Sequence, residues 1–174
     1  MKSVKLILVL LCLFGVVACH TQRNSPSNQA QLISEDSLIQ INKDLVQREK
    51  GDIDSFIKAK GWHMKETQTG LRYLIVSHCT GAKARIGQIA TIRYKLYLLD
   101  GTLLDSSDKS GLKSFKIGHG GVEKGLEEGI ILLKVGDKAK FILPSHLAYG
   151  LTGDGLKIPP QSPLIYDVEL VKIN

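Results

Sequence analysis

Hydrophobic positions follow two different periods along the chain, and the period changes near residue 65. Between residues 34 and 60, apolar side chains recur at every third or fourth position, which predicts helix. These positions are Leu38, Ile41, Leu45, Val46, Ile53, Phe56 and Ile57. The pair Gly51-Asp52 either divides this helix into two or only weakens a single long one. Beyond Lys65, apolar and polar residues alternate, which predicts strands.

The apolar stripe of the helical stretch predicts a surface that is covered in the folded protein. The stretch is too short for a coiled-coil assignment. Docking onto the following domain, or the seam of a homodimer, explains the stripe better than a cofactor site does. Gly61 ends the helix, and Trp62 is expected to pack back against it. We therefore assign residues 34–66 to a helical extension and residues 67–174 to the main domain.

The clearest predicted strand covers residues 88–99. Its inward face carries Ala90, Ile92, Tyr94, Leu96 and Leu98. Tyr94 therefore points inward with the apolar set. Asp100-Gly101 signals a hairpin turn directly after this strand. Alternation predicts further strands at residues 71–77, 103–107, 114–117, 138–143 and 164–173.

A glycine-rich stretch lies at residues 118–129. It has neither the G-x-G-x-x-G pattern nor the Gly-Lys-Ser/Thr ending of a phosphate-binding loop, and it is acidic. It predicts instead a turn into a short helix at residues 124–133, with Leu126, Ile130 and Leu133 on the buried side. The elements together predict an α+β fold, in which five or six mostly antiparallel strands pack against one short helix.

The loop between the last two strands is predicted to have a defined shape. Glycines at residues 150–155 permit tight turns, and the double proline at 159–160 favours extended backbone. The loop carries Tyr149 and Ile158 beside the final strand. A small apolar pocket is therefore predicted between sheet and helix, where Tyr94, Val122, Leu126 and Tyr166 meet.

The charge pattern argues against a nucleic-acid partner. The net charge is +6 at pH 7, but basic and acidic residues are interspersed and no run of four basic residues occurs. Such mixing is typical of a solvated surface. The histidines have no metal-ligand spacing, and Cys79 is the only cysteine beyond residue 19. We therefore expect no metal, no cofactor and no intramolecular disulfide.

The first residues have the pattern of a secretory signal. Lys2 and Lys5 form a positive end, and an apolar run follows at residues 6–17. This run is too short for a comfortable membrane-spanning helix. Residues 1–18 are therefore predicted to be a cleaved signal peptide.

The end of this signal resembles a bacterial lipobox, with the sequence Val-Val-Ala-Cys at residues 16–19. The pattern predicts lipidation of Cys19, palmitate included, and the alternative is an ordinary cleaved signal with an incidental cysteine. Several acyl chains would hold the protein firmly on a bilayer. Residues 19–33, rich in Gln, Asn, Ser and Pro, would be a flexible tether. His20 rather than Asp follows the cysteine, which favours the outer over the inner membrane of the cell envelope, facing periplasm or exterior.

A series of short segments occupies residues 85–173. In chain order these are Tyr94 in its strand, Asp100-Gly101, LDSS at 104–107, GVEKGLEEG at 121–129, GDKA at 136–139, LAYG at 147–150, IPP at 158–160 and YDVEL at 166–170. In this order they resemble the FKBP-type peptidyl-prolyl cis-trans isomerase family. The helical extension and the lipobox resemble FKBP-like lipoproteins of Bacteroidetes, some of which serve gliding motility.

The resemblance implies a twisted antiparallel sheet wrapped on the short helix, with a proline-binding pocket. Its catalytic positions would be Tyr94, Asp105, Phe115, Tyr149 and Tyr166. Its substrate-binding positions would be Leu104, Val122, Glu123, Leu126 and Ile158. Tyr94, Phe115 and Tyr166 would equally suit an ordinary core. The implied partners are proline-containing polypeptides and, weakly, macrolide inhibitors, and the reaction needs no cofactor.

Three positions depart from the family's pattern. Leu126 stands at the pocket floor where the family has Trp, and Leu104 replaces a usual Phe. Glu123 replaces a usual Ile, although its backbone N–H remains available to a ligand. Losing the Trp predicts a wider pocket, weaker macrolide binding and slower catalysis. The leading hypothesis is a membrane-anchored isomerase that assists folding of exported proteins, and the alternative is a low-activity chaperone or binding module.

Overall fold

A computed structural model of the chain describes residues 35–174. The signal peptide, the lipidated Cys19 and the tether predicted for residues 1–33 lie outside the described residues. Residues 39–174 form one compact unit, and residues 35–38 at the start of the first helix belong to a separate unit. No helix within the described range is both long and apolar enough to cross a bilayer.

The first helix, α1, runs unbroken over Glu35–Lys60. Gly51 therefore weakens the helix without dividing it, which decides between the two alternatives left open by the sequence. Acidic residues occupy the first turn and basic residues the last, as the helix dipole favours. Gly61 then takes a left-handed conformation with φ 64°, and the amide of Trp62 donates to the carbonyl of Ile57 at 3.1 Å. This is a glycine-terminated helix end.

Within residues 35–174, seven strands form one antiparallel sheet, where the alternation predicted five or six. They are β1 (Lys65–Glu66), β2 (Arg72–Ser77), β3 (Ile89–Leu98), β4 (Leu103–Ser106), β5 (Lys113–Lys116), β6 (Lys138–Leu143) and β7 (Leu164–Ile173). The order is β1-β2-β6-β7-β3-β4, and β5 also pairs with β3. The additional strand, β1, has two residues, too few to show alternation. A short helix, α2 (Ser107–Ser110), follows β4 and takes up the last residue of the strand predicted at 103–107.

A third helix, α3 (Lys124–Ile131), lies against one face of this sheet. It ends earlier than residue 133, because the amides of Leu132 and Leu133 close tighter turns onto Gly129 and Ile130. Its glycines permit a close approach to β6. A Cβ atom at Gly129 would lie 2.6 Å from the Phe141 ring, and larger residues are excluded there.

The sheet separates two hydrophobic cores. The first core fills the space between the sheet and α3 and includes Leu126, Ile130, Phe141 and Tyr166, each with an exposed fraction of 0%. The second core lies under α1 and consists of Ile53, Ile142 and Ile165, with Phe56 and Trp62 packed against it. Neighbours on β6 and β7 alternate between the two cores, as the pleat requires. The expected α+β fold is thus confirmed, with a helix on each sheet face.

Polar contacts reinforce the docking of α1. The buried guanidinium of Arg72 on β2 donates to Asp54 of α1 at 3.0 Å and also pairs with Glu66. Glu49 of α1 accepts hydrogen bonds from the amide and hydroxyl groups of Ser145. The second half of the apolar stripe on α1 therefore docks onto the domain. Docking was one of the two explanations offered for this stripe, and a homodimer seam was the other. Earlier apolar positions stay exposed, including Ile41 at 48% and Val46 at 53%.

Candidate active site

Tyr94 and Asp105 form the best-defined polar pair of the site. They lie on the adjacent strands β3 and β4, and the Tyr94 hydroxyl donates to Oδ2 of Asp105 at 2.5 Å. The other carboxylate oxygen accepts from the Ser110 hydroxyl at 2.6 Å and from the Ser106 amide at 2.8 Å. Burial acts to raise the pKa of Asp105, but these hydrogen bonds together hold it below the usual value. Asp105 is therefore an ionised acceptor that positions the ring of Tyr94.

Tyr166 forms the inner aromatic wall beside Tyr94. Their ring centroids are 6.1 Å apart, with the planes tilted by 49°. Tyr166 belongs to β7 at the sheet centre and is completely buried. Its hydroxyl donates to Oε1 of Glu123 at 3.1 Å. The carboxylate of Glu123 thus lies inside the site.

The loop after β6 supplies an exposed tyrosine and a buried isoleucine. Tyr149 follows a single 3₁₀ turn, Ser145–Leu147, and is 39% exposed, whereas Ile158 is 6% exposed. The carboxylate of Asp154 accepts backbone hydrogen bonds from Leu156, Lys157 and Ile158 at 2.7–2.9 Å. These bonds order the loop, and they lower the pKa of Asp154.

The three tyrosines of the site stay protonated over the physiological range. Burial, followed by the hydrogen bond to Asp105, raises the pKa of Tyr94 to about 12. Burial and then the negative charge of Glu123 raise the pKa of Tyr149 and of Tyr166. All three hydroxyls therefore act as neutral hydrogen-bond donors.

The predicted site residues divide into core and surface groups. Leu126, Phe115 and Ile158 are buried in the first core, and Leu104 and Val122 pack against it partly exposed. A depression of about 330 Å³ opens beside them. It is lined by Lys113, Gly120, Gly121, Val122, Glu123, Ala148 and Tyr149. Phe115 does not line this depression, because its side chain points into the first core.

Lys113 is a site residue that the sequence reasoning missed. Its ammonium lies 4.9 Å from the centroid of the Tyr94 ring, a cation–π geometry. It shares a face of β5 with Phe115, two residues further on, so the period of the strand could have placed both side chains together. The sequence analysis assigned the lysines to a solvated surface, and for this reason it did not identify Lys113 as a site residue.

Glu123 was expected to contribute only its backbone N–H. In the structure its side chain turns inward beside Tyr166, and its atom Oε2 is buried without a hydrogen-bond partner among the described residues. Within residues 35–174, no group of acidic, histidine or cysteine side chains could hold a metal ion.

Comparison with known proteins agrees with this geometry. Residues 80–171 match the family described as FKBP-type peptidyl-prolyl cis-trans isomerase. The FKBP-type isomerase FkpA of Aeromonas hydrophila is 39% identical over 144 residues, covering 82% of this chain and 53% of that protein. FK506-binding protein 2 of Dictyostelium discoideum is 44% identical over 108 residues, covering 62% of this chain and 80% of the relative.

Solved structures share the fold. FkpA from Escherichia coli superposes with a TM-score of 0.66 at 28% identity, covering 100% of this chain and 82% of the other. An isomerase from Pseudomonas syringae superposes with a TM-score of 0.65 at 25% identity, covering 76% of this chain and 95% of the other. The sheet, the short helix and the tyrosine-lined site define an FKBP-type domain. This chain belongs to the FKBP-type peptidyl-prolyl cis-trans isomerase family.

The relatives also set a limit. The chain spans about half the length of the curated FkpA proteins that it matches, 53% and 46% for the two relatives of that name. The expected family resemblance is confirmed. The likeness to lipoproteins of Bacteroidetes stays a prediction.

Proposed function

We propose that this protein catalyses cis–trans isomerisation of Xaa-Pro bonds in polypeptides. The observation that carries the proposal is the pair of aromatic walls, Tyr94 and Tyr166, whose hydroxyls are held by carboxylates beside an open depression. Membership of the isomerase family supports the same activity.

The reaction needs no nucleophile. Amide resonance sets a rotation barrier of about 18–20 kcal/mol, and cis and trans Xaa-Pro differ by only about 0.5–1 kcal/mol. A catalyst must therefore favour the twisted amide, in which resonance is broken and the carbonyl is less charge-separated. An apolar wall achieves this by solvating the planar, more dipolar ground state poorly.

The residues of the site have separable roles in this mechanism. The proline ring is expected to pack toward Tyr94, Ile158 and Tyr166, which are 3%, 6% and 0% exposed, so the Glu123 side chain must move aside to admit it. The Tyr149 hydroxyl and the amide of Glu123 orient the substrate backbone from the rim. Asp105 acts through Tyr94, whose ring orientation it sets, and transfers no proton.

The test is the cis-to-trans relaxation rate of a Xaa-Pro peptide with the full chain in nonionic detergent. Tyr94→Ala removes part of the wall and should lower kcat/KM by about 100-fold, whereas Tyr149→Phe removes one orienting hydroxyl and should lower it by about tenfold. Ile41→Ala, on the exposed face of α1, is the matched control and should leave the rate unchanged. A wild-type rate equal to the uncatalysed background would refute the proposal.

A second candidate is a chaperone or binding module with little turnover. The specific observation in its favour is the carboxylate of Glu123, which lies against Tyr166 where a proline ring would need space. If the protein is such a module, the wild type and the Tyr149→Phe variant should slow aggregation of an unfolded client protein to the same extent. If the Tyr149→Phe change lowers client protection and isomerisation together, one site serves both activities.

We further propose that the protein acts at the bacterial cell envelope, held by lipid on Cys19. The positive start, the apolar run and the lipobox-like residues 16–19 support this location. Labelled palmitate should be incorporated into wild type and not into Cys19→Ser. If the wild-type protein carried no palmitate, or if it appeared in the soluble fraction, the proposed lipid anchor would be wrong.

The exposed face of α1 supports a homodimer. Leu38, Ile41 and Val46 are each about half exposed, at 47%, 48% and 53%. A second copy of the helix would cover them. The mass of the full chain should rise with concentration, and Ile41→Asp should abolish that rise. A mass that stays monomeric at all concentrations contradicts the dimer.

A further inference from the structure

The depression next to the tyrosines is lined by two opposite charges with different surroundings. On one side, the ammonium of Lys113 lies over the Tyr94 ring and lowers the pKa of Asp105 through its charge. On the other side, Oε1 of Glu123 accepts a hydrogen bond from the neutral Tyr166 hydroxyl. No ion pair joins Lys113 and Glu123. Lys113 therefore has an aromatic ring and the Asp105 carboxylate nearby, whereas Glu123 has no cation paired with it among the described residues.

The unmet hydrogen-bonding capacity of this carboxylate lies on its second oxygen. Oε2 of Glu123 is buried and accepts no hydrogen bond from residues 35–174. A buried acceptor without a donor is destabilising, and more so when it is charged. Burial, and then the charge and hydrogen-bonding contact of Glu123, raise the pKa of Tyr149, so the Tyr149 hydroxyl lies near this carboxylate, but its geometry leaves Oε2 without a hydrogen-bond partner in the part of the chain described. A ligand that brings a donor to this atom removes that unfavourable term.

The charges around Glu123 do not cancel the attraction of its carboxylate for a cationic hydrogen-bond donor. Asp154, whose negative charge also acts on Tyr149, adds to the negative potential of the rim. Glu127 on the other side is already engaged by the amides of His119 and Gly120. Glu123 is thus the group at the depression that is charged, inward-facing and incompletely bonded.

We propose that Glu123 makes this site select Xaa-Pro segments with a lysine or arginine next to the proline. The inference rests on the proposed function, because it names the substrate class of that same site. The cationic side chain donates to Oε2 from the depression while the proline ring contacts the tyrosines. An acidic neighbour would face the same carboxylate and is disfavoured.

The experiment compares matched peptides in which the residue before proline is Lys, Leu or Glu. Binding to the full chain in nonionic detergent is measured by calorimetry, and kcat/KM is measured on the same peptides. The Lys peptide should bind about tenfold more tightly than the Glu peptide at low salt, and the ratio should shrink as salt screens the charges. Glu123→Gln, which keeps the side-chain shape, should bring the ratio to within about twofold.

A matched control separates the local carboxylate from net charge. Asp52→Asn also replaces a carboxylate by an amide, but it lies on the exposed face of α1 and should keep the wild-type ratio. Equal ratios in wild type and Glu123→Gln overturn the inference, and so does a wild type with no preference. The wild-type salt dependence needs no variant, so the test stands even if Glu123→Gln folds poorly.

The two readouts distinguish the inference from the proposed function. Selective binding without acceleration of any peptide removes the isomerase activity and leaves the charge selection intact. Acceleration of all peptides without a dependence on the neighbouring charge removes the selection and leaves the activity intact.

Discussion

The two faces of the sheet are packed in different ways. The first core, under α3, is a continuous cluster with many side chains at 0% exposure. The second core, under α1, holds three buried isoleucines and is completed by ion pairs at its edge. A large dry core fixes the positions of the site tyrosines, whereas a small core with a charged edge fastens an additional helix. The difference indicates that the proposed isomerase activity depends on the sheet face under α3, and that attachment of α1 depends on the opposite face.

The strongest test of the difference between the two cores uses two neighbouring residues on β6. Phe141 and Ile142 are both fully buried, but they face the first and the second core respectively. Phe141→Ala should cost about 3–5 kcal/mol of unfolding free energy and abolish activity, because it leaves a cavity beside α3. Ile142→Val should cost about 0.5–1.5 kcal/mol and keep activity. Denaturant unfolding measures both values, and equal losses of activity would contradict the division.

A smaller effect is expected at the centre of the α1 interface. Ile53 is 2% exposed and contacts the other two isoleucines of the second core. Ile53→Ala should cost about 2 kcal/mol, at the low end for such changes because the second core is small. Hydrogen exchange in α1 should rise while isomerisation stays at the wild-type rate.

The control for this change lies on the same helix. Ile41→Ala alters an isoleucine that is 48% exposed and, at a concentration where the chain is monomeric, should change stability by less than about 0.5 kcal/mol. If Ile53→Ala lowers kcat/KM while Ile41→Ala does not, docking of α1 contributes to catalysis and the two faces are coupled.

The charged edge should contribute less than the isoleucines. The Arg72 side chain is 7% exposed, but its partners Asp54 and Glu66 are 52% and 44% exposed and can be solvated when unpaired. Arg72→Met should therefore cost about 1–2 kcal/mol rather than the larger penalty of a fully buried pair. Arg93→Met breaks a pair whose arginine is 53% exposed and should cost at most about 1 kcal/mol. If Arg93→Met lowered the free energy of unfolding more than Arg72→Met does, the Arg72 ion pairs would not be the ones that reinforce the edge of the second core.

Alkaline pH should act on the first core. Tyr94, Tyr149 and Tyr166 have pKa values above the usual 10.0 in the folded chain. A raised folded pKa contributes stability that is complete below pH 10 and is lost as pH rises toward the folded value, about 12 for Tyr94. Tyrosinate absorbance should thus lag behind that of free tyrosine until unfolding begins. Tyr166→Phe should delay alkaline unfolding, and an unchanged transition would contradict a contribution from Tyr166.

The periodicity of apolar residues predicted the main strands and the direction of their side chains well. Alternation on β3 placed Tyr94 inward, and alternation on β7 placed Tyr166 on the same side, which the structure confirms. The strand β1 has too few residues to show a period. The path of the helix across Gly51 depends on its docking through Ile53, a tertiary contact that local propensity does not encode.

The chemistry of the site was harder to predict. The position of Glu123 was recognised, but its carboxylate had no assigned role, because its direction depends on the distant Tyr166 hydroxyl. Lys113 was overlooked for a related reason, since its contact with Tyr94 joins β5 to β3. Both roles arise from pairings between segments far apart in sequence, which a local pattern does not report.

The central pairing of β3 with β7 has a consequence for how the chain folds. These strands pair along nearly their whole length, although β3 begins at residue 89 and β7 at residue 164. Strand β7 also joins β6 to the rest of the sheet, so neither core can close before it is in place. Formation of this sheet requires closure of a long loop, which is slow for non-local pairings. During synthesis the domain therefore stays open until its last strand is available, and the tyrosine site forms among the final steps of folding.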